Sequence, residues 1–149
     1  EIVLYGAGGK ARSFPRSLKS SYLDAAADTI DGRHVVLGVG PGPLQAELFN
    51  ADGTIVWRLD NFAIERKVDA RQYSASAAIS SRHHLASITM RDGYTYVLST
   101  KDGAILCSFP GGMHHAQTYW TSETDGIPLL ILAKQSGVHA YRIRPRGGT

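Results

Sequence analysis

The sequence predicts an all-β chain of tandem antiparallel sheets, on three observations. Val, Ile, Tyr and Thr are spread evenly through 149 residues that also hold 16 Gly and 6 Pro, and no long stretch is rich in Leu, Glu and Lys. That composition favours short strands joined by turns. Asp-Gly pairs punctuate the chain, at Asp31-Gly32, Asp52-Gly53, Asp92-Gly93, Asp102-Gly103 and Asp125-Gly126. Finally, part of the sequence repeats itself. A chain of this length is enough for one real core and too short for two comfortable ones, so the repeats belong to one domain, 1–149.

The repeat is plainest in its middle. Leu48-Phe49-Asn50-Ala51-Asp52-Gly53-Thr54-Ile55-Val56-Trp57 aligns without gaps on Leu98-Ser99-Thr100-Lys101-Asp102-Gly103-Ala104-Ile105-Leu106-Cys107, 50 residues on. The same register matches His34 with His84, Val35-Val36-Leu37 with Leu85-Ala86-Ser87, and Leu59 with Phe109. A third copy follows at a spacing of 44, with Gly137 in the place of Gly93 and apolar strands over 129–132 and 138–143. At the start, Ile2-Val3-Leu4-Tyr5 and its glycines resemble Val36-Leu37-Gly38-Val39 and theirs. The units read as 1–19 (incomplete), 20–70, 71–115 and 116–149.

Each unit runs strand, Gly-rich turn, strand, Asp-Gly turn, strand. Asp-Gly between two apolar strands predicts a hairpin turn with positive φ at both central residues. Residues 22–27, 72–77 and 117–121 precede these elements and are mostly small or polar, which suits a further, narrow strand. Ala25-Ala26-Ala27 alone would suit a helix, but Asp28, Thr29 and Asp31-Gly32 end any helix within two turns.

Four short strands every 44 to 50 residues is the period of a propeller blade, whose innermost strand needs small side chains where blades converge. With Val36-Leu37-Gly38-Val39, then Gly40, then residues 48–57, most of 20–144 resembles the blades of quinoprotein-like and FG-GAP-like β-propellers. The resemblance implies about three four-stranded antiparallel blades of a partial ring. Propellers close with four or more blades, so a second copy or another chain is expected to complete this one and cover its apolar end faces.

What the resemblance implies chemically is thinner. FG-GAP-like blades take calcium on loops dense in aspartate, and calcium wants six to eight oxygens. Only Asp28, Asp31 and Gly32 in one copy and Glu123, Asp125 and Gly126 in another answer that pattern, while Ser80-Ser81-Arg82-His83 fills the middle one. Turn formation accounts for these acids better than calcium does. Quinoprotein-like blades imply a planar redox cofactor on the axis, which three blades do not surround. Trp120 alone of the two tryptophans is near the axial strand, and Trp57 reads as packing on an outer strand.

His83-His84 and His114-His115 carry ligands that zinc and copper favour. The two pairs fall on connections at opposite ends of the sheets, which argues against one shared metal. Residues 2–12 also resemble a strand entering a dinucleotide-binding glycine turn, but Phe14-Pro15 leaves no room for the helix that turn needs. No nucleophile elbow, paired zinc-helix histidines or phosphate loop is present.

The formal charge is +3, and Arg142, Arg144 and Arg146 supply as much from the tail alone. A neutral remainder argues against a nucleic-acid partner or an anionic membrane surface. No run approaches 18 apolar residues. Cys107 is the only cysteine, so no disulfide closes within the chain and compartment is not readable from it; Cys107 reads as buried and apolar. A start at Glu1, without Met or a signal pattern, suits a processed, extracellular chain or an excised piece.

The function expected from these features is a non-catalytic binding or scaffold module. Its ligand face would carry the second-to-third-strand and unit-to-unit connections, with Arg91, Asp92, His114, His115 and Gln135 as candidate contacts for a carbohydrate or protein ligand. The alternative is a piece of a propeller enzyme, such as a polysaccharide lyase or a quinoprotein-like dehydrogenase, with active groups in other blades.

Overall fold

A computed structural model of the chain describes residues 2–5, 11–14, 24–40, 45–59, 75–90, 93–111, 117–123, 125–134 and 136–144. Strands β1 (Ile2–Tyr5) and β2 (Ala11–Phe14) form an antiparallel hairpin. Three larger antiparallel sheets follow in chain order. The first is β3 (Asp24–Ile30), β4 (Arg33–Val39), β5 (Ala46–Asn50) and β6 (Ile55–Leu59). The second is β7 (Ala75–Ser80), β8 (Leu85–Met90), β9 (Tyr94–Ser99) and β10 (Ile105–Pro110), with a single 3-10 turn, Ser81–His83, between β7 and β8. The third is β11 (Gln117–Ser122), β12 (Pro128–Lys134) and β13 (Gly137–Arg142). It has three strands among the described residues where the repeat predicts four.

Alternation of side chains along each strand gives every sheet two faces, and the sheets pack face to face. Val35, Leu37, Leu48 and Trp57 of the first sheet meet Ala86, Ile88, Met90, Tyr96 and Leu98 of the second in one buried cluster. Leu85 and Val97 on the other face of the second sheet meet Leu130, Leu132 and Ile143, with Cys107, Phe109, Trp120 and Tyr141 packed alongside. The first strands β3, β7 and β11 lie side by side, so they are the inner strands, and the small residues of β3 are what permits their close approach.

Pairing refines the repeat. Val35 and Leu85 are equivalent, and so are Trp57 and Cys107, as a gapless register requires. The strand between them is displaced by one residue: Leu48 pairs with Leu37 and Trp57, whereas Val97, not Leu98, pairs with Ser87 and Cys107. An extra residue in the Thr100–Gly103 turn restores the frame. A slip of one residue would otherwise turn every side chain of β9 to the wrong face.

The Asp-Gly turns also differ from expectation. Positive φ at both central residues occurs only at Asp31-Gly32 (φ 49° and 75°) among the Asp-Gly pairs described in full, where Ile30 pairs directly with Arg33. At Asp52-Gly53 only Gly53 is left-handed (φ 90°). Gly53 N donates to Asn50 O at 2.8 Å, Asn50 N donates to Thr54 O at 2.8 Å, and Asp52 Oδ1 accepts from Thr54 N at 2.8 Å. Aspartate therefore serves here by binding the backbone two residues on, and glycine closes a longer loop.

Candidate functional site

The candidate contacts named from sequence, Arg91, Asp92, His114, His115 and Gln135, all lie outside the described residues. The described residues instead form two other polar systems: a ladder that joins the inner strands, and a cleft at the end of the sheets that carries the Asp31-Gly32 and Thr100–Gly103 turns.

The ladder repeats in equivalent positions. Asp24 Oδ2 accepts from Ala77 N at 2.7 Å, joining β3 to β7. Ser76, which occupies the place of Asp24 in the second sheet, accepts through Oγ from Thr118 N at 3.3 Å, joining β7 to β11. One turn of side chains further along, Asp28 Oδ2 accepts from Ser81 N at 3.1 Å. The equivalent of Asp28 is Ser80, which is too short for that reach, and His83 extends it. The Ser80 hydroxyl donates to His83 Nδ1 (2.9 Å), and Nε2 donates to Gly126 O (3.0 Å) with Ser122 Oγ at 3.3 Å. A carbonyl only accepts, so the neutral ring carries its proton on Nε2. Of the acids that suggested calcium, Asp28 accepts from the backbone N–H groups of Thr29 and Ser81, and Asp125 Oδ1 accepts from Ile127 N.

The cleft, about 610 Å³, opens between the first and second sheets. Its apolar lining comes from Ile30, Val35, Leu48 and Val56, and its polar lining includes Asp31, Arg33, His84 and Lys101. Trp57 closes the joint beneath it: the indole Nε1 donates to Thr100 O at 2.9 Å, and the ring lies so close to Gly103 that a Cβ there would meet it at 2.9 Å. A shallower depression of about 380 Å³ shares Arg33 and Asn50 with the cleft. Of the neighbouring acids, Asp52 and Asp102 are engaged in their own turns. Asp102 sits below the usual carboxylate range because Ser99 and the Ala104 N–H hydrogen-bond it, with Lys101 adding a smaller effect. His84 Nε2 and Asp31 Oδ1 are 3.9 Å apart. Sequence reading missed Arg33, His84 and Lys101 as a group, although all three fall on first-second or third-fourth strand turns of adjacent repeats and such turns share one end of the fold.

Cys107, the equivalent of Trp57, is only half-buried, and that burial pushes its thiol upward. Trp57 is 7% exposed.

Face-to-face antiparallel sheets with adjacent inner strands make the chain a partial β-propeller. Among solved structures it is similar to BamB from Moraxella catarrhalis, with a TM-score of 0.62 at 13% identity over 94% of this chain and 40% of that one. It is also similar to BBS1N in complex with ARL6DN, with a TM-score of 0.63 at 12% identity over 94% of this chain and 43% of that one. Both are β-propellers, and at these identities the likeness bears on fold alone. The chain spans less than half the length of either. No protein-family model matches the sequence, and neither does any curated protein.

Proposed function

We propose that residues 1–149 act as one partial-propeller domain whose work is binding and scaffolding, with blades from outside this segment completing the ring and a protein as ligand. The observation that carries this reading is the use to which the chemically capable side chains are put. Asp24, Asp28 and His83 join one sheet to the next. Glu47, only 1% exposed, pairs with Arg58 at 3.2 Å, and Glu123 pairs with Arg142 at 2.6 Å. Asp52, Asp102 and Asp125 hold turns. Groups committed to such bonds stabilise the frame and leave recognition to the turns.

The ladder supports completion by further blades. Gln117 and Thr121 of β11 occupy the places of the rung acceptors Asp24 and Asp28, and both are exposed. An inner strand of another blade would offer N–H groups to them. The solved complex of BBS1N with ARL6DN makes a protein ligand the natural first class to test on a propeller of this kind.

Light scattering at micromolar concentration tests the proposal. A mass above that of one 16.1 kDa chain, or recovery of a single chain only with a complementing blade segment bound, is expected. A stable monomer with no such complement overturns ring completion.

A further inference from the structure

We propose that the cleft between the first and second sheets binds an extended acidic peptide, with apolar side chains on its floor and carboxylates at Arg33 and Lys101. The inference rests on the binding-module reading and deepens it by naming a surface and a ligand chemistry.

Charge on the rim comes first. Arg33 and Lys101 are exposed, come from adjacent sheets and line the same cavity. Among the described residues, no carboxylate lies within 4.0 Å of either cation. Asp102, the acid next in sequence to Lys101, is held by Ala104 N at 3.1 Å and by the Ser99 hydroxyl. Asp31, the acid in the lining, lies instead beside His84. A guanidinium and an ammonium left in this state suit carboxylates from outside.

The lining then selects among anions. Ile30, Val35, Leu48 and Val56 supply an apolar floor, and Val56 is 42% exposed. A phosphate or a nucleic-acid backbone gains nothing from such a floor, whereas a peptide alternating acidic and apolar side chains meets both surfaces. The cavity and the shallower depression share Arg33 and Asn50, so the accessible surface continues along the turns of the first sheet. An elongated ligand fits that continuity better than a compact one. Trp57 and its bond to Thr100 O fix the two walls relative to each other, so the site needs little ordering on binding.

The test uses the full 149-residue chain and fluorescence anisotropy with three labelled probes: a peptide alternating Glu and Leu, a peptide alternating Glu and Ser, and a polyuridylate RNA. Saturable binding of the Glu-Leu peptide is expected, weakened about tenfold or more in the Arg33→Ala/Lys101→Ala double variant and by Val56→Asp. Arg144→Ala, at an exposed cation outside the cleft, should leave affinity unchanged. All these side chains are exposed, and an unchanged urea midpoint verifies that each variant folds. Failure of the Glu-Leu peptide to bind, equal binding of the Glu-Ser peptide, or tighter binding of the RNA overturns the inference. Peptide binding indifferent to Arg33 and Lys101 also overturns it, yet leaves the broader binding-module reading standing, since the chain still binds a protein-like ligand, and ring completion is judged separately by solution mass.

Discussion

The joint between the first and second sheets is apolar throughout its centre, while the equivalent joint between the second and third is partly polar. Leu37, Val39, Ala46 and Trp57 face forward from the first sheet; their equivalents in the second are Ser87, Thr89, Thr95 and Cys107. Thr89 and Thr95 satisfy each other at 2.9 Å, but the Ser87 hydroxyl and the Trp120 indole N–H are buried without a hydrogen-bond partner among the described residues, as is the Thr100 hydroxyl at the edge of the first joint. Leu85, Val97 and Phe109 keep the second joint closed, helped by stacking of Phe109 on Tyr141 at 4.4 Å. The frame is what repeats: inner-strand rungs recur at equivalent places, whereas the packed faces are free to vary. Both joints bury apolar surface worth about 25 cal/mol per Å², and the second loses part of that to desolvated polar atoms.

The largest expected effect tests the apolar joint. Trp57→Ala removes a 7% exposed side chain, the support of Gly103 and the bond to Thr100 O, and should cost about 3–5 kcal/mol in urea unfolding. Cys107→Ala, at the equivalent but half-buried place, should cost less than about 1.5 kcal/mol. Equal costs would mean that the two joints contribute alike and would remove the contrast.

A middle-sized effect concerns the frame. Asp28→Ala leaves the Ser81 N–H without its acceptor and should cost about 1–3 kcal/mol. His83→Ala acts on the corresponding rung of the second joint and should weaken the union of β7 with β11 in preference to that of β3 with β7. Hydrogen exchange resolves this, as faster exchange at Thr118 and its neighbours with protection at Ala77 retained. Uniform loss of protection would show that the rungs do not act locally.

Much of this frame was legible in the sequence because turn chemistry and alternation are local properties. The Asp52-Gly53 and Asp102-Gly103 hairpins, the strand nature of Ala25-Ala26-Ala27 and the outer-strand place of Trp57 all follow from neighbours along the chain. The one-residue displacement of β9 did not, since two compensating length changes leave the outer strands in register and a gapless alignment looks complete. Nor did the ladder: Asp24 and Ser76 share no chemistry that would align them, and their equivalence exists only through pairing with β4 and β8. The cleft was missed for a related reason. Arg33 and Lys101 belong to different repeats and different turns, and only face-to-face packing of the sheets brings them to one rim.

The smallest expected effect is the sharpest test of the polar joint, and it has the opposite sign. Ser87 is fully buried, and its hydroxyl has no partner among the described residues, so folding strips that group of water with nothing in return. Ser87→Ala keeps the Cβ and removes only the desolvated oxygen; stability should be unchanged or should rise by up to about 1 kcal/mol. The reverse exchange, Leu37→Ser in the first joint, opens a cavity and buries a hydroxyl at once, and should cost several kcal/mol, on the order of a buried Leu→Ala change or more. Urea midpoints of the two variants measured side by side decide the matter. If Ser87→Ala instead destabilises the chain by more than about 1 kcal/mol, the hydroxyl has a partner in solution, and the polar face of the second sheet is a built feature of its joint, stabilised by hydrogen bonding where the first relies on apolar packing.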